Sequence, residues 1–210
     1  GLKVAKRGVP KKKTVSWAIP DVQRLLQQNL PADIRMLFRI LICTGFRLEE
    51  GAALEWKDVK VNKAGVHYFD LFDLNKKLKT EHAQRRVPIH HQLYPLLQVY
   101  GAARGREGPL FNFRADKDGK CAKAATKALD RYIKAAREDN GTFVKHLKTH
   151  GLRGTFTSAC YKENMNDSMR RFLGGWRQLG DDTAYLEPDL DAEDKMLQTI
   201  DFSHIHCTHA

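Results

Sequence analysis

Cysteine is scarce and unpatterned in this chain: Cys43, Cys121, Cys160 and Cys207 form no CxxC pair. Cys43 and Cys160 fall inside apolar helical patterns, where a thiol serves as a small hydrophobe, so the usage is that of a reduced, intracellular protein. Long apolar runs are also missing. No stretch approaches the ~20 residues that cross a bilayer, and the lysine-bearing N-terminus lacks an apolar signal core, so no membrane partner is expected and the cytoplasm or nucleoid is. Repeats and low-complexity tracts are lacking beyond a short basic arm. Acidic charge is in deficit: 36 Lys+Arg stand against 25 Asp+Glu, a net charge of +11 over 210 residues. Such an excess biases the molecule toward polyanions, with nucleic acid the default partner, and the length suits one domain with a real core.

Residues 1–16 open with GLKVAKRGVPKKK, which has no apolar periodicity and reads as a flexible arm or interdomain linker; Lys11, Lys12 and Lys13 are placed to lie along phosphates. After Ala18-Ile19-Pro20 the chain reads helical. Ile34, Leu37, Phe38, Leu41 and Ile42 recur on one helix face that stops at Thr44-Gly45, and Leu48–Leu54 restarts a short helix, leaving Arg47 at the junction. Val66–Leu74 and Arg86–Ile89 read as strands of a hairpin with Lys76, Lys77 and Lys79 near its tip. Leu93–Val99 reads helical, Pro109–Phe111 extended, and Ala122, Ala125, Leu129, Tyr132, Ile133 and Ala136 mark an amphipathic helix. The rest, to Ile200, reads as short helices broken by glycines.

Several side chains suit phosphodiester chemistry. A guanidinium fork neutralises nonbridging oxygens with two parallel charge-assisted hydrogen bonds, and two arginines from separate segments can clamp both. His150 and Arg153 lie three positions apart, so on a helix they share a face; an imidazole there moves a proton near neutral pH. A helix-start histidine capped by Thr149 is the purely structural alternative. Trp176 carries an indole N–H, which hydrogen-bonds but shuttles no proton. His204, His206, Cys207 and His209 crowd the C-terminus with metal-capable donors, but a chain end lacks the closed geometry of a structural zinc site, so neither metal nor cofactor is expected.

The ordered set Thr44-Gly45-Phe46-Arg47-Leu48-Glu49-Glu50, His150-Gly151-Leu152-Arg153, Leu173-Gly174-Gly175-Trp176 and Tyr185 resembles the catalytic domain of the tyrosine recombinase, or phage integrase, family from Trp17 to Tyr185. The resemblance implies an α+β fold, mainly helical with a small antiparallel sheet, over residues 17–188. It implies Arg47 and Arg153 as the phosphate clamp, His150 and Trp176 beside them, Glu50 orienting the junction, and Tyr185 as a nucleophile forming a 3′-phosphotyrosine without metal or ATP. A hairpin lysine would protonate the leaving 5′ oxygen; Lys79 matches best, with Lys76 and Lys77 close by and suited to DNA contact. Two departures stand out: Gly154 where the pattern usually has a second histidine, and Gly174-Gly175 where it has one glycine.

Double-stranded DNA with a specific site is the implied partner, with a homotetramer on DNA, a monomer as an isolated domain, and accessory DNA-bending proteins as further expectations. Residues 189–210 would form a tail able to dock on a neighbouring protomer or on its own domain. Family members usually carry an N-terminal helical domain, and too few residues precede Trp17 for one here, so the chain is expected to be the catalytic part. Three other readings remain open: a type IB topoisomerase-like DNA-relaxing enzyme, a non-catalytic DNA-binding protein, and a metal-dependent nuclease.

Overall fold

Helix α2 (Ala32–Thr44) is the spine of the molecule, and ten of its residues, Ile34 and Met36–Thr44, are buried. A helix whose second half, Met36–Thr44, is buried in full has to be enclosed, and here α3 (Leu48–Ala52), α4 (Tyr94–Arg104) and α6 (Gly151–Lys162) pack around it. The computed structural model describes residues 15–72, 84–138, 147–176 and 189–207. The remaining helices are α1 (Ile19–Leu26), α5 (Ala122–Glu138), α7 (Asp167–Gly174) and α8 (Leu190–Leu197), with 3-10 turns at Trp56–Asp58 and Ser203–His206. The apolar face expected for α5 buries Ala125, Leu129 and Ile133, packing on α1 and α3.

One antiparallel sheet is present among the described residues, in the order β1 (Val59–Val61), β2 (His67–Asp70), β3 (Arg86–Pro88). Phe69 of β2 faces Val59 on one side and Val87 on the other. Its ring meets the edge of Phe46 at 5.6 Å, which seats the sheet behind the α2–α3 junction. The two strands expected for the hairpin are β2 and β3; β1 was not expected, because its residues Lys60 and Val61 are exposed and carry little apolar signal. Pro109 pairs with Glu55 in an isolated bridge, in keeping with its extended reading.

The first and last described segments pack on this body. Val15 and Ser16, within the stretch read as an arm, lie against α6, and Trp17 donates its backbone N–H to Thr155 Oγ1 (2.8 Å) and its indole N–H to the Lys148 carbonyl (2.9 Å). Helix α8 packs against β3 of its own chain, and the 3-10 turn after it against α1, tied to α2 by a 2.8 Å bond from Arg39 Nε to the Ile205 carbonyl. No described helix is long and apolar enough to cross a membrane.

Candidate active site

The TGFRLEE segment is a chain reversal built to present Arg47. The Thr44 hydroxyl donates to the Ile40 carbonyl (2.7 Å) and accepts the Phe46 N–H (3.2 Å). Gly45 then takes a left-handed conformation (φ 63°), with no room for a Cβ beside the Phe156 ring. Arg47 becomes the extended N-cap residue of α3. One turn on, Glu50 accepts the Arg47 backbone N–H at Oε2 and its Nη1 at Oε1, both at 2.7 Å. Glu50 thus holds both the backbone and the guanidinium of Arg47 at the junction.

Arg153 reaches the same place from α6. Its Nη1 donates to the Gly45 carbonyl (2.6 Å) and its Nη2 to the Gly174 carbonyl (2.9 Å), with Nη1 4.0 Å from Glu50 Oε2. Trp176 lies against it, ring centroid 4.7 Å from the guanidinium carbon. Burial draws the Arg153 pKa down to about 10, which still leaves it protonated near neutral pH. His150, exposed, is itself the N-cap residue of α6, in place of the expected Thr149, whose hydroxyl makes no hydrogen bond among the described residues. Partial burial, then the charges of Arg153 and Arg47, lower the His150 pKa and favour neutral imidazole. Gly154 has a physical reason too: a Cβ there would lie 2.3 Å from Ser16 Oγ, so the packed N-terminal segment stands where a side chain would start.

The doubled glycine forms a receptor for guanidinium groups. Three consecutive carbonyls each accept from a different arginine: Leu173 from Arg85 Nε (2.8 Å), Gly174 from Arg153 Nη2 (2.9 Å) and Gly175 from Arg47 Nη2 (2.9 Å). Gly175 ends α7 in the left-handed region (φ 64°), and a Cβ on it would meet Arg85 Nη1 at 2.5 Å; one on Gly174 would run into the Trp176 ring. Arg85 was not expected at the site. It is wholly enclosed, with Nη2 3.0 Å from Glu50 Oε2. Arg85 shares the inward side of Val87 while Arg86 points out over the rings of Tyr68 and Phe72, and no local pattern marked the difference because Val87 and Pro88 are both buried.

Arg47, His150, Arg153 and Trp176 line one cleft of about 790 Å³, whose far wall is α5 with Thr126, Asp130, Ile133 and Lys134. Tyr185, Lys76, Lys77, Lys79, Lys11, Lys12 and Lys13 lie outside the described residues. At the C-terminus His204 is buried beside Phe202, away from the cleft, and among the described residues no three His, Cys, Asp or Glu side chains gather as a metal would require.

The sequence profile of the phage integrase family matches residues 19–190, a span that contains every part of this cleft. The chain belongs to the phage integrase family. Among curated proteins none is a match. Solved structures give the fold. The integrase from mycobacterium phage Brujita superposes with a TM-score of 0.64 at 16% identity, over 100% of this chain and 63% of that one. The Tn1549 transposon integrase in complex with transposon right end DNA gives 0.60 at 17% identity, over 90% and 67%. XerH site-specific recombinase bound to palindromic difH substrate gives 0.55 at 18% identity, over 91% and 51%. The chain therefore spans about half to two thirds of the length of these proteins, and its fold is that of tyrosine recombinase catalytic domains.

Proposed function

We propose that this phage integrase family chain is the catalytic part of a site-specific DNA recombinase that cuts and rejoins DNA through a 3′-phosphotyrosine. The observation that carries the reading is the convergence of two arginines from different helices, with a histidine and an indole, on one open cleft. Arg47 and Arg153 each spend N–H donors on the turn carbonyls and keep others for the nonbridging oxygens of a phosphate. Tyr185 attacks phosphorus: its oxygen forms the new bond, the bond to the 5′ oxygen breaks, and Lys79 supplies the proton to that leaving oxygen. His150, kept neutral, takes up the phenolic proton. Trp176 flanks Arg153 and offers its N–H to the phosphate. The bond energy stays in the phosphotyrosine, so a 5′ hydroxyl from a partner strand reverses the attack without ATP, metal or other cofactor.

Double-stranded DNA is the partner, in keeping with the net charge of +11 and with the DNA complexes of the XerH and Tn1549 proteins. Complete strand exchange would engage four protomers on two sites, with the isolated chain monomeric off DNA, accessory DNA-bending proteins assisting, and the nucleoid of the cytoplasm as its place of action.

The test is a nicked suicide duplex carrying a site selected by binding, incubated in chelator with this chain and with Tyr185→Phe. A covalent adduct on a denaturing gel that vanishes in the variant, with binding retained, is expected. An adduct that persists removes Tyr185 as nucleophile, and plasmid relaxation without exchange between two sites indicates a topoisomerase-like enzyme instead.

A further inference from the structure

Glu50 poses an electrostatic problem for a phosphate clamp. Its carboxylate is 3% exposed and lies 2.7 Å from Arg47 Nη1 and 4.0 Å from Arg153 Nη1, so on its own it would cancel much of the positive charge the cleft presents. The field of a buried carboxylate is weakly screened, and one negative charge against two guanidiniums would leave the Arg47–Arg153 pair with a single net positive charge. A phosphodiester carries one negative charge, and the pentavalent state on the way to cleavage carries two.

Arg85 supplies the missing charge from behind. We propose that Arg85 is a positioning residue that acts as the buried counter-ion of Glu50, so that Arg47 and Arg153 meet the phosphate with both positive charges uncancelled. The inference rests on the catalytic reading of the cleft. Arg85 is wholly enclosed, so it makes no contact with DNA. Its Nη2 and Nη1 donate to the two Glu50 oxygens at 3.0 and 3.4 Å, its Nε donates to the Leu173 carbonyl at 2.8 Å, and its carbon stands 5.3 Å from the Phe46 ring centroid. A guanidinium satisfies these directions at once, whereas an ammonium provides the charge without the fork. Among the described residues, with Arg85 in place, three guanidiniums face the Glu50 carboxylate, and the excess of two matches the two arginines that line the cleft. The same side chain fixes the start of the turn whose next two carbonyls hold Arg153 and Arg47, so charge and register come from one residue.

Charge balance separates this role from simple packing, because a change at Glu50 should repair a change at Arg85. Arg85→Met leaves two guanidiniums facing one carboxylate, and Arg85→Met/Glu50→Gln removes both members of the pair and restores the excess of two. Single-turnover cleavage of the nicked duplex is compared for the unaltered chain, Arg85→Met, Arg85→Lys and the double variant, with duplex binding measured alongside. Arg85→Met is expected to cleave about 100-fold more slowly, the effect of removing one preorganised charge or donor, with affinity changed by less than about threefold because no phosphate contact is lost. The double variant should recover at least about tenfold of that loss, and Arg85→Lys should stay within about tenfold of the unaltered chain. A double variant no faster than Arg85→Met, or an Arg85→Met that cleaves at the original rate, overturns the inference. Should circular dichroism show that Arg85→Met does not fold, the double variant decides alone: cleavage within about tenfold of the original supports the inference, and slower cleavage overturns it. Absence of an adduct from the unaltered chain overturns the catalytic reading itself and the inference with it, an outcome distinct from those confined to the Arg85 variants.

Discussion

The Glu49 carboxylate, one residue from the Glu50 that braces Arg47, accepts the backbone N–H of Ala122 at 2.6 Å. Its other oxygen accepts the Cys121 N–H at 2.9 Å. A side chain from the arginine junction thus caps the helix that forms the far wall of the cleft. It meets two N–H groups that have no partner inside α5, at the positive end of its dipole.

Glu49→Gln keeps the shape and removes the charge, so it should cost about 1 kcal/mol of stability. The loss should appear as faster hydrogen exchange at Cys121 and Ala122 than at amides in the middle of α5. Uniform exchange along the helix would remove the capping role.

Gly175→Ala should be far more costly than an ordinary surface change, since the residue sits at φ 64° with Arg85 Nη1 2.5 Å from the position of the new methyl. The strained conformation alone carries a penalty of about 1–3 kcal/mol. Thermal unfolding measures it, and a melting temperature equal to that of the unaltered chain would mean that the turn relaxes freely.

Glu50 has an acid-side signature. Burial pushes its carboxyl up, but the charge and hydrogen bonds of Arg85, with those of Arg47, outweigh burial and hold it below the usual range. A depressed folded-state pKa means that the stabilisation is complete above the unfolded value, about 4.3, and disappears as the pH falls through the folded value. Urea unfolding of the unaltered chain and Glu50→Gln should therefore differ most near neutral pH, and the gap should narrow below about pH 4. A gap independent of pH would show that the charge of Glu50 is not what stabilises the site.

Glu193 of α8 has the opposite sign. Burial, then the nearby Asp189 charge, raises its pKa to about 8, and Oε2 has no hydrogen-bond partner among the described residues. Ionisation is disfavoured in the folded chain, so stability declines as the pH rises from the unfolded value of about 4.3 and levels off above about 8. Glu193→Gln should raise the melting temperature near pH 9 and leave it unchanged near pH 4, about where both states are protonated. An equal effect at both values would point to packing instead of charge.

Much of this was readable along the chain because it is local. The recurrence of Ile34, Leu37, Phe38, Leu41 and Ile42 marks α2, the amphipathic pattern marks α5, and Thr44-Gly45 marks the reversal that leaves Arg47 at a junction, since each feature depends on residues within a turn or two. Strand β1 was missed because an exposed edge strand needs no apolar alternation. Two adjacent arginines, Arg85 and Arg86, carry no local mark of which one is enclosed; only the pairing of β3 with β2 decides it.

Composition and motif order, by themselves, determined the helical elements, the family resemblance and the identity of the residues suited to phosphate chemistry. The tertiary structure decided how charge is apportioned among them. Glu49 capping a helix 72 residues away, Ser16 occupying the space beside Gly154, and three arginines meeting three successive carbonyls are contacts between distant segments. Periodicity records which face of an element is buried, but not which partner faces it. Buried charges are settled by that partner, because in a weakly screening interior a neighbour a few ångströms away sets whether a charge is cancelled, satisfied or left for the substrate.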